Sequence, residues 1–130
     1  MLFFVFPILE ICVSLRTNLI LMKRSVIYLS EALEFLLSID KAAAKKLAYN
    51  VKKVSMGVTD TMVFKKLKGT EIWEFRTKYG GNYYRLLSFW DTRTNTLIVA
   101  THGFVKKSAK TPTREIEKAE AIRKDYFDNE

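Results

Sequence analysis

The spacing of apolar and polar positions changes several times along the chain, and each change marks an element. The run "SVIYL", Ser25 to Leu29, is β-branched and aromatic and predicts a strand. Ser30 stands where a helix cap belongs, Glu31 and Glu34 follow in the first turn, and Ala32, Leu33, Leu36 and Leu37 recur at helical spacing. Asp40 is placed to cap a second helix, "KAAAKKLAYNVKKVSMG", whose residues have high helix propensity and which Gly57 can end. The two helices form an αα-hairpin. Its lysines, Lys41, Lys45, Lys46, Lys52 and Lys53, are expected on a solvated face, with phosphate contacts as the alternative.

The segment "VTDTMVFKKLKGT" reads as a connection closing in a glycine turn. The period then becomes two. "EIWEFRTKY" and "NYYRLLSFW" flank Gly80 and Gly81, which is a hairpin signal, and "TLIVATHGF" supplies one more strand after a polar turn at Asp91 to Asn95. Thr111 as cap and Pro112 near the first position predict a last helix from Thr113 to Tyr126. The expected order is β-α-α-β-β-β-α, with no internal repeat or low-complexity tract.

Before Ser25 the pattern gives no element. "MLFFVFPILEICVSLRTNLILMKR" is strongly apolar but interrupted by Glu10 and Arg16, so it lacks the run of about 20 apolar residues a membrane span requires. A secretory signal is poorly matched too, since no basic residue precedes the apolar run and no clean cleavage pattern follows. Met22 stands directly before "KRSVIYLS". Residues 1–21 are therefore read as an N-terminal extension of uncertain role and residues 22–130 as the domain. The competing reading makes the extension an ordered element packed on the domain or on a partner.

A chain of 130 residues with 48% hydrophobic content, nine Phe, six Tyr and two Trp suits one domain with one core. Cys12 is the single cysteine; it has no internal disulfide partner and no metal-ligating neighbours, which fits a reducing cytoplasm. The net charge of +8 is unevenly placed. Residues 23–110 carry 17 basic and 7 acidic side chains, whereas residues 111–130 carry 4 and 6. A positive field in the middle of the domain favours a polyanion such as nucleic acid or an anionic membrane, or an acidic protein.

Hairpin register brings the charges together. If Gly80 and Gly81 are the two central residues of a tight turn, Arg76 faces Arg85, an unfavourable pairing that Glu74 on the same face offsets in part. Lys78 shares that face, while Trp73, Phe75, Leu86 and Trp90 on the other suit a core. A strand ending near His102 and Gly103 delivers Lys106, Lys107 and Lys110 close by, completing a phosphate cradle. Tyr83, Tyr84 and His102 have the chemistry to stack on bases or move protons, packing being the alternative. No glycine-rich phosphate loop, carboxylate pair, metal cluster or Ser-His-Asp arrangement is evident, so neither cofactor nor metal is expected.

"LKGTEIWEFRTKYGGNYYRLLSFW" followed by "HGFVKKSAKTPTREIEKAEAIRKDY" resembles the HigB-like, phage-derived branch of the RelE/ParE toxin superfamily. The most specific parts are Leu67-Lys68-Gly69, Trp73-Glu74-Phe75-Arg76, Tyr84-Arg85, His102-Gly103-Phe104, Lys106-Lys107 and Lys110-Thr111-Pro112. The resemblance implies an α+β, RelE-like fold: two N-terminal helices packed on a small twisted antiparallel sheet, a C-terminal helix, and a concave opposite face that binds RNA. It also implies a cytoplasmic toxin of a type II toxin–antitoxin system, acting as a metal-independent, ribosome-dependent mRNA endoribonuclease that inhibits translation. The implied partners are mRNA on the ribosome and a cognate antitoxin of the helix-turn-helix type, with no membrane partner. A ParE-like gyrase inhibitor and a basic RNA-binding module are the alternatives.

Carried onto this chain, the resemblance assigns Arg85 and Arg76 to the scissile phosphate and Lys106 or Lys107 to the basic position after the next strand. The expected catalytic set is Arg76, Arg85, His102 and Lys106, and the expected RNA-binding set is Lys78, Tyr83, Tyr84, Lys107 and Lys110. Two departures stand out. Glu74 occupies a place where RelE tends to carry a cation, and RelE's tyrosine after the last basic cluster has no clear counterpart.

Overall fold

The computed structural model describes residues 3–5, 25–58, 60–93 and 97–129. Strand β1 is Phe3–Val5 and β2 is Ser25–Leu29, followed by helices α1 (Ser30–Ser38) and α2 (Lys41–Ser55). Strands β3 (Phe64–Lys66), β4 (Trp73–Tyr79), β5 (Asn82–Asp91) and β6 (Leu97–Lys106) follow, and α3 (Thr113–Asp128) ends the described chain. Of the N-terminal extension only β1 is described; the rest of it, and most of the turn expected before Asn95, lie outside the described residues.

Five strands from Ser25 onward build one mixed sheet, to which β1 adds a short edge, in the order β1-β2-β6-β5-β4-β3. This corrects the expected architecture of two N-terminal helices on a small antiparallel sheet. The strand expected at Ser25–Leu29 is present, but it runs parallel to β6 in a mixed sheet, and helices cover both faces. The reason is topological. The α1–α2 hairpin and three further strands separate β2 from β6, so β2 returns beside a strand pointing the same way.

The hairpin register follows the prediction, with Arg76 opposite Arg85 and Tyr79 opposite Asn82. Gly80 (φ 56°) and Gly81 (φ 80°) both adopt left-handed backbone, the requirement of a type I′ turn. Asp40 caps α2 by accepting from the Ala42 N–H at 2.8 Å, and Gly57 (φ 94°) follows its end. Two cap expectations fail. Ser30 is the first residue of α1, after Leu29 at the N-cap, and makes no cap bond; Pro112, not Thr111, precedes α3. Strand β3 lies within the segment read as a connection; its three residues are too few to display a period.

Alternation along the strands sorts the core into two layers. Val26, Tyr28, Phe75, Tyr84, Leu86, Ile98 and Ala100 meet Ala32, Ala43, Leu47, Val51 and Val54 of α1 and α2. Ile27, Leu29, Leu87, Phe89 and Val99 face the other way and meet Ala119, with Ile122, Tyr126 and Phe127 of α3 packed against them. A bulge in β6 beside Leu87 and Ser88 keeps this sorting on either side of the extra residue. Gly103 admits the Phe35 ring of α1 directly onto β6, where any Cβ would collide with it.

Candidate nucleic-acid interface

Helix α3 covers only part of its face. Glu115 near its start reaches His102, and Tyr126 near its end donates to Asp91 at 2.9 Å, so the helix spans the stretch of sheet between them. Beyond His102, towards the Gly80–Gly81 turn, alternation puts Glu74, Arg76 and Lys78 of β4, Tyr83 and Arg85 of β5, and Phe104 and Lys106 of β6 on the same face. This end of the sheet carries charge where the other carries core.

Glu74 sits at its centre, only 3% exposed. Its Oε1 lies 3.3 Å from Arg76 Nε and 3.5 Å from Arg85 Nε, and its Oε2 accepts from the Thr111 hydroxyl. Thr111 is thus spent on a carboxylate of β4 rather than on capping α3. Neither Nε makes a well-aligned hydrogen bond, so the attraction is ionic rather than a forked pair.

Arg85 is 2% exposed. It donates from Nη1 to the Tyr84 carbonyl and from Nη2 to the Ala109 carbonyl, both at 3.2 Å, which ties the segment after β6 across it. Burial pulls its pKa below the ordinary guanidinium value, as does Arg76, while Glu74 pulls it up. A guanidinium retains its charge under such opposing effects.

Two openings flank this cluster. A cleft of about 200 Å³ is lined by Met62, Arg76, Thr77, Lys78, Tyr83 and Arg85. A groove of about 530 Å³ on the other side of Arg76 is lined by Lys65, Lys66, Lys68 and Lys110 together with Glu74 and Thr111. The Tyr83 ring has Lys78 Nζ 5.2 Å and the Arg85 guanidinium 5.3 Å from its centre. Lys106 is directly opposite Tyr83 in the sheet.

The structure therefore brings together Arg76, Lys78, Tyr83 and Arg85, with Lys106 beside Tyr83 and Lys110 across the groove. Lys107 is exposed on the segment that follows β6. Tyr84 points the other way and is buried against the α1–α2 layer. His102 is also set apart: it is 3% exposed, with Nδ1 3.1 Å from Thr101 Oγ1 and Nε2 3.0 Å from Glu115 Oε1. Burial holds its pKa below 6.5 despite the hydrogen bond to Glu115. A neutral ring with its proton on Nε2 donates to Glu115, while the single hydroxyl proton of Thr101 is shared between Nδ1 and the Leu87 carbonyl, 3.2 Å away.

Sequence reasoning missed Lys65, Lys66 and Lys68 as members of this surface. Their clustering was visible, but only the pairing of β3 with β4, which sets Lys65 opposite Glu74, brings them to the groove. Among the described residues no group of three His, Cys, Asp or Glu side chains is arranged to hold a metal. No helix among them is long and apolar enough to cross a membrane.

The family model for the phage derived protein Gp49-like (DUF891) matches residues 34–124. The chain belongs to this family. Gp49-like proteins are part of the RelE/ParE-type toxin group, and membership carries the expectation of a toxin–antitoxin pair with a cognate antitoxin. No curated protein matches the chain. The Gp49-like match runs from α1 into α3 and contains every residue of the charged cluster.

Proposed function

We propose that this Gp49-like toxin is a ribosome-dependent mRNA endoribonuclease of the HigB-like branch, acting in the cytoplasm under the control of an antitoxin. The observation that carries the reading is the cleft in which Arg76, Lys78 and the buried Arg85 converge beside an aromatic ring. A phosphodiester seated there meets cations whose positions are set by strands, and fixed cations stabilise the charge that develops on phosphorus as it is attacked. Tyr83 offers a stacking surface for a neighbouring base.

The reaction requires no external co-reactant. The 2′-oxygen forms a bond to phosphorus as the bond from phosphorus to the 5′-oxygen breaks, giving a 2′,3′-cyclic phosphate and a free 5′-hydroxyl. One proton leaves the 2′-hydroxyl and one reaches the departing 5′-oxygen. Tyr83 and Lys106, facing each other across β5 and β6, are the groups proposed for these transfers. His102 joins β6 to α3 and holds the strand that carries Lys106.

The test is cleavage of an mRNA during translation in a purified system. Arg76 has a quarter of its side chain exposed, so Arg76→Ala is a suitable variant. The expected result is a loss of roughly 10²-fold in cleavage rate with folding retained. Unchanged cleavage removes the arginine cleft from the mechanism. Intact mRNA with arrested DNA supercoiling points to a non-catalytic toxin instead.

A further inference from the structure

Helix α2 presents a second cationic surface that the cleft does not use. Tyr49 is 59% exposed, and its four neighbours at helical distance, Lys45, Lys46, Lys52 and Lys53, are all lysines. Lys53 Nζ lies 5.4 Å from the Tyr49 ring centre. The opposite side of the helix, Ala43, Leu47, Val51 and Val54, is buried against the sheet, and Asn50 fixes its rotation by donating to the Arg76 carbonyl and Thr77 Oγ1.

Helix stability does not account for these charges. Lys52 and Lys53 suit the C-terminal end, but Lys41 in the first turn opposes the helix dipole, and Lys45 and Lys46 gain nothing from it. No acidic residue occurs between Lys41 and Ser55, and no ion pair to a carboxylate involves these lysines among the described residues. Helix α3 differs, since Lys118 pairs with Glu31 and Lys124 with Asp128, each at 2.7 Å.

The surface is continuous with the cleft. Lys46 donates to the Lys78 carbonyl at 3.1 Å and lies 5.9 Å from the Tyr79 ring centre, while the Lys78 side chain is over Tyr83 on the cleft side. Cations and exposed aromatic rings thus alternate around the hairpin tip from Arg76 to Tyr49. We infer that α2 is a second RNA-docking surface: single-stranded RNA leaving the cleft rounds the hairpin, its phosphates meet Lys45, Lys46, Lys52 and Lys53, and a base stacks on Tyr49. Alternating phosphate and base recognition is what a ring of lysines about an exposed tyrosine fits, because the ring offers a base a stacking face between the cations. The inference rests on the reading of the cleft as an RNA site.

The experiment measures binding of a fluorescein-labelled single-stranded oligoribonucleotide to the full chain over a salt series. Lys45→Gln/Lys52→Gln/Lys53→Gln keeps helix propensity, and circular dichroism checks the fold. The expected result is affinity reduced by about tenfold or more, with the slope of log affinity against log salt smaller by about 2. Tyr49→Ala is expected to weaken binding while leaving that slope unchanged. The triple variant should still cleave translated mRNA at the wild-type rate when saturating, whereas Arg76→Ala should not. Wild-type affinity and slope in the triple variant overturn the inference, as does a loss confined to binding of the co-expressed antitoxin. RNA binding that depends on α2 in a protein that cleaves nothing upholds the surface and defeats the nuclease reading.

Discussion

The two faces of the sheet are built from alternate residues of the same strands, yet they carry different chemistry. On the α1–α2 face, apolar side chains continue from Tyr28 through Phe75 to Tyr84 near the hairpin end. On the α3 face the apolar layer stops where α3 stops, and Glu74, Arg76 and Arg85 take its place. Covering a sheet with a helix favours stability, whereas the end that α3 leaves uncovered holds cations, of which Arg76 and Lys78 are open to a partner while Arg85 lies beneath the segment containing Ala109. The difference shows that alternation alone selects a face, and that the extent of the covering helix decides where that face carries core and where it carries charge.

The largest effect expected from breaking this comparison comes from the fully covered face. Phe75 is fully buried and stacks on Phe64 with ring centres 4.3 Å apart, so Phe75→Ala should destabilise the fold by about 3–5 kcal/mol in denaturant titration. A loss below about 1 kcal/mol would mean that this face is not the principal core.

Glu74→Ala tests the charged end. It leaves Arg85 buried with its main counter-charge removed and should cost about 2–4 kcal/mol, less than a wholly buried pair because Arg76 remains partly solvated. Joint replacement, Glu74→Leu with Arg85→Met, should recover much of that stability while abolishing cleavage. Recovery of stability without activity identifies these charges as serving the site rather than the fold.

Gly103→Ala comes next, at about 1–3 kcal/mol, because the new Cβ must displace the Phe35 ring from β6. Adding Phe35→Ala should reduce the penalty of the glycine change, measured as a double-mutant cycle. Additive losses would show that α1 does not press on the sheet there.

The smallest effects are on pH, and they concern the covered part of the α3 face. His102 has a lowered folded pKa, so the unfolded chain binds more protons as the pH falls below 6.5, and stability declines in that window. Asp91 behaves in the ordinary carboxylate sense. Hydrogen bonds from the Arg93 side chain hold it at about 2, so its contribution is present above 3.8 and is lost as the pH falls towards 2. His102→Gln should remove the upper limb and Asp91→Asn the lower one, each seen in thermal melts across pH. An unchanged upper limb in His102→Gln would show that protonation of His102 is not its source.

Much of the local order was legible. Gly80-Gly81 between two aromatic runs specified the hairpin and its register, because only that turn keeps both glycines in left-handed backbone and sets Arg76 opposite Arg85. Asp40 and Gly57 marked the ends of α2 for equally local reasons. Thr111 misled, since a threonine before Pro112 looks like a cap until Glu74, distant in sequence, accepts its hydroxyl proton. Alternation already set Tyr83 and Tyr84 on opposite faces, but only the packing of α1 and α2 showed that Tyr84 is buried against them.

By itself the sequence determined the periods, the hairpin register, the concentration of positive charge between Lys23 and Lys110 and the family membership, because each depends on residues close together or on their pattern. Only the tertiary structure decided that β2 runs parallel to β6, that α3 covers only part of the second face, and that Glu74 holds Arg76 and Arg85 together beneath the segment containing Ala109. Those outcomes depend on which distant surfaces exclude water from one another, and spacing along the chain does not encode that directly.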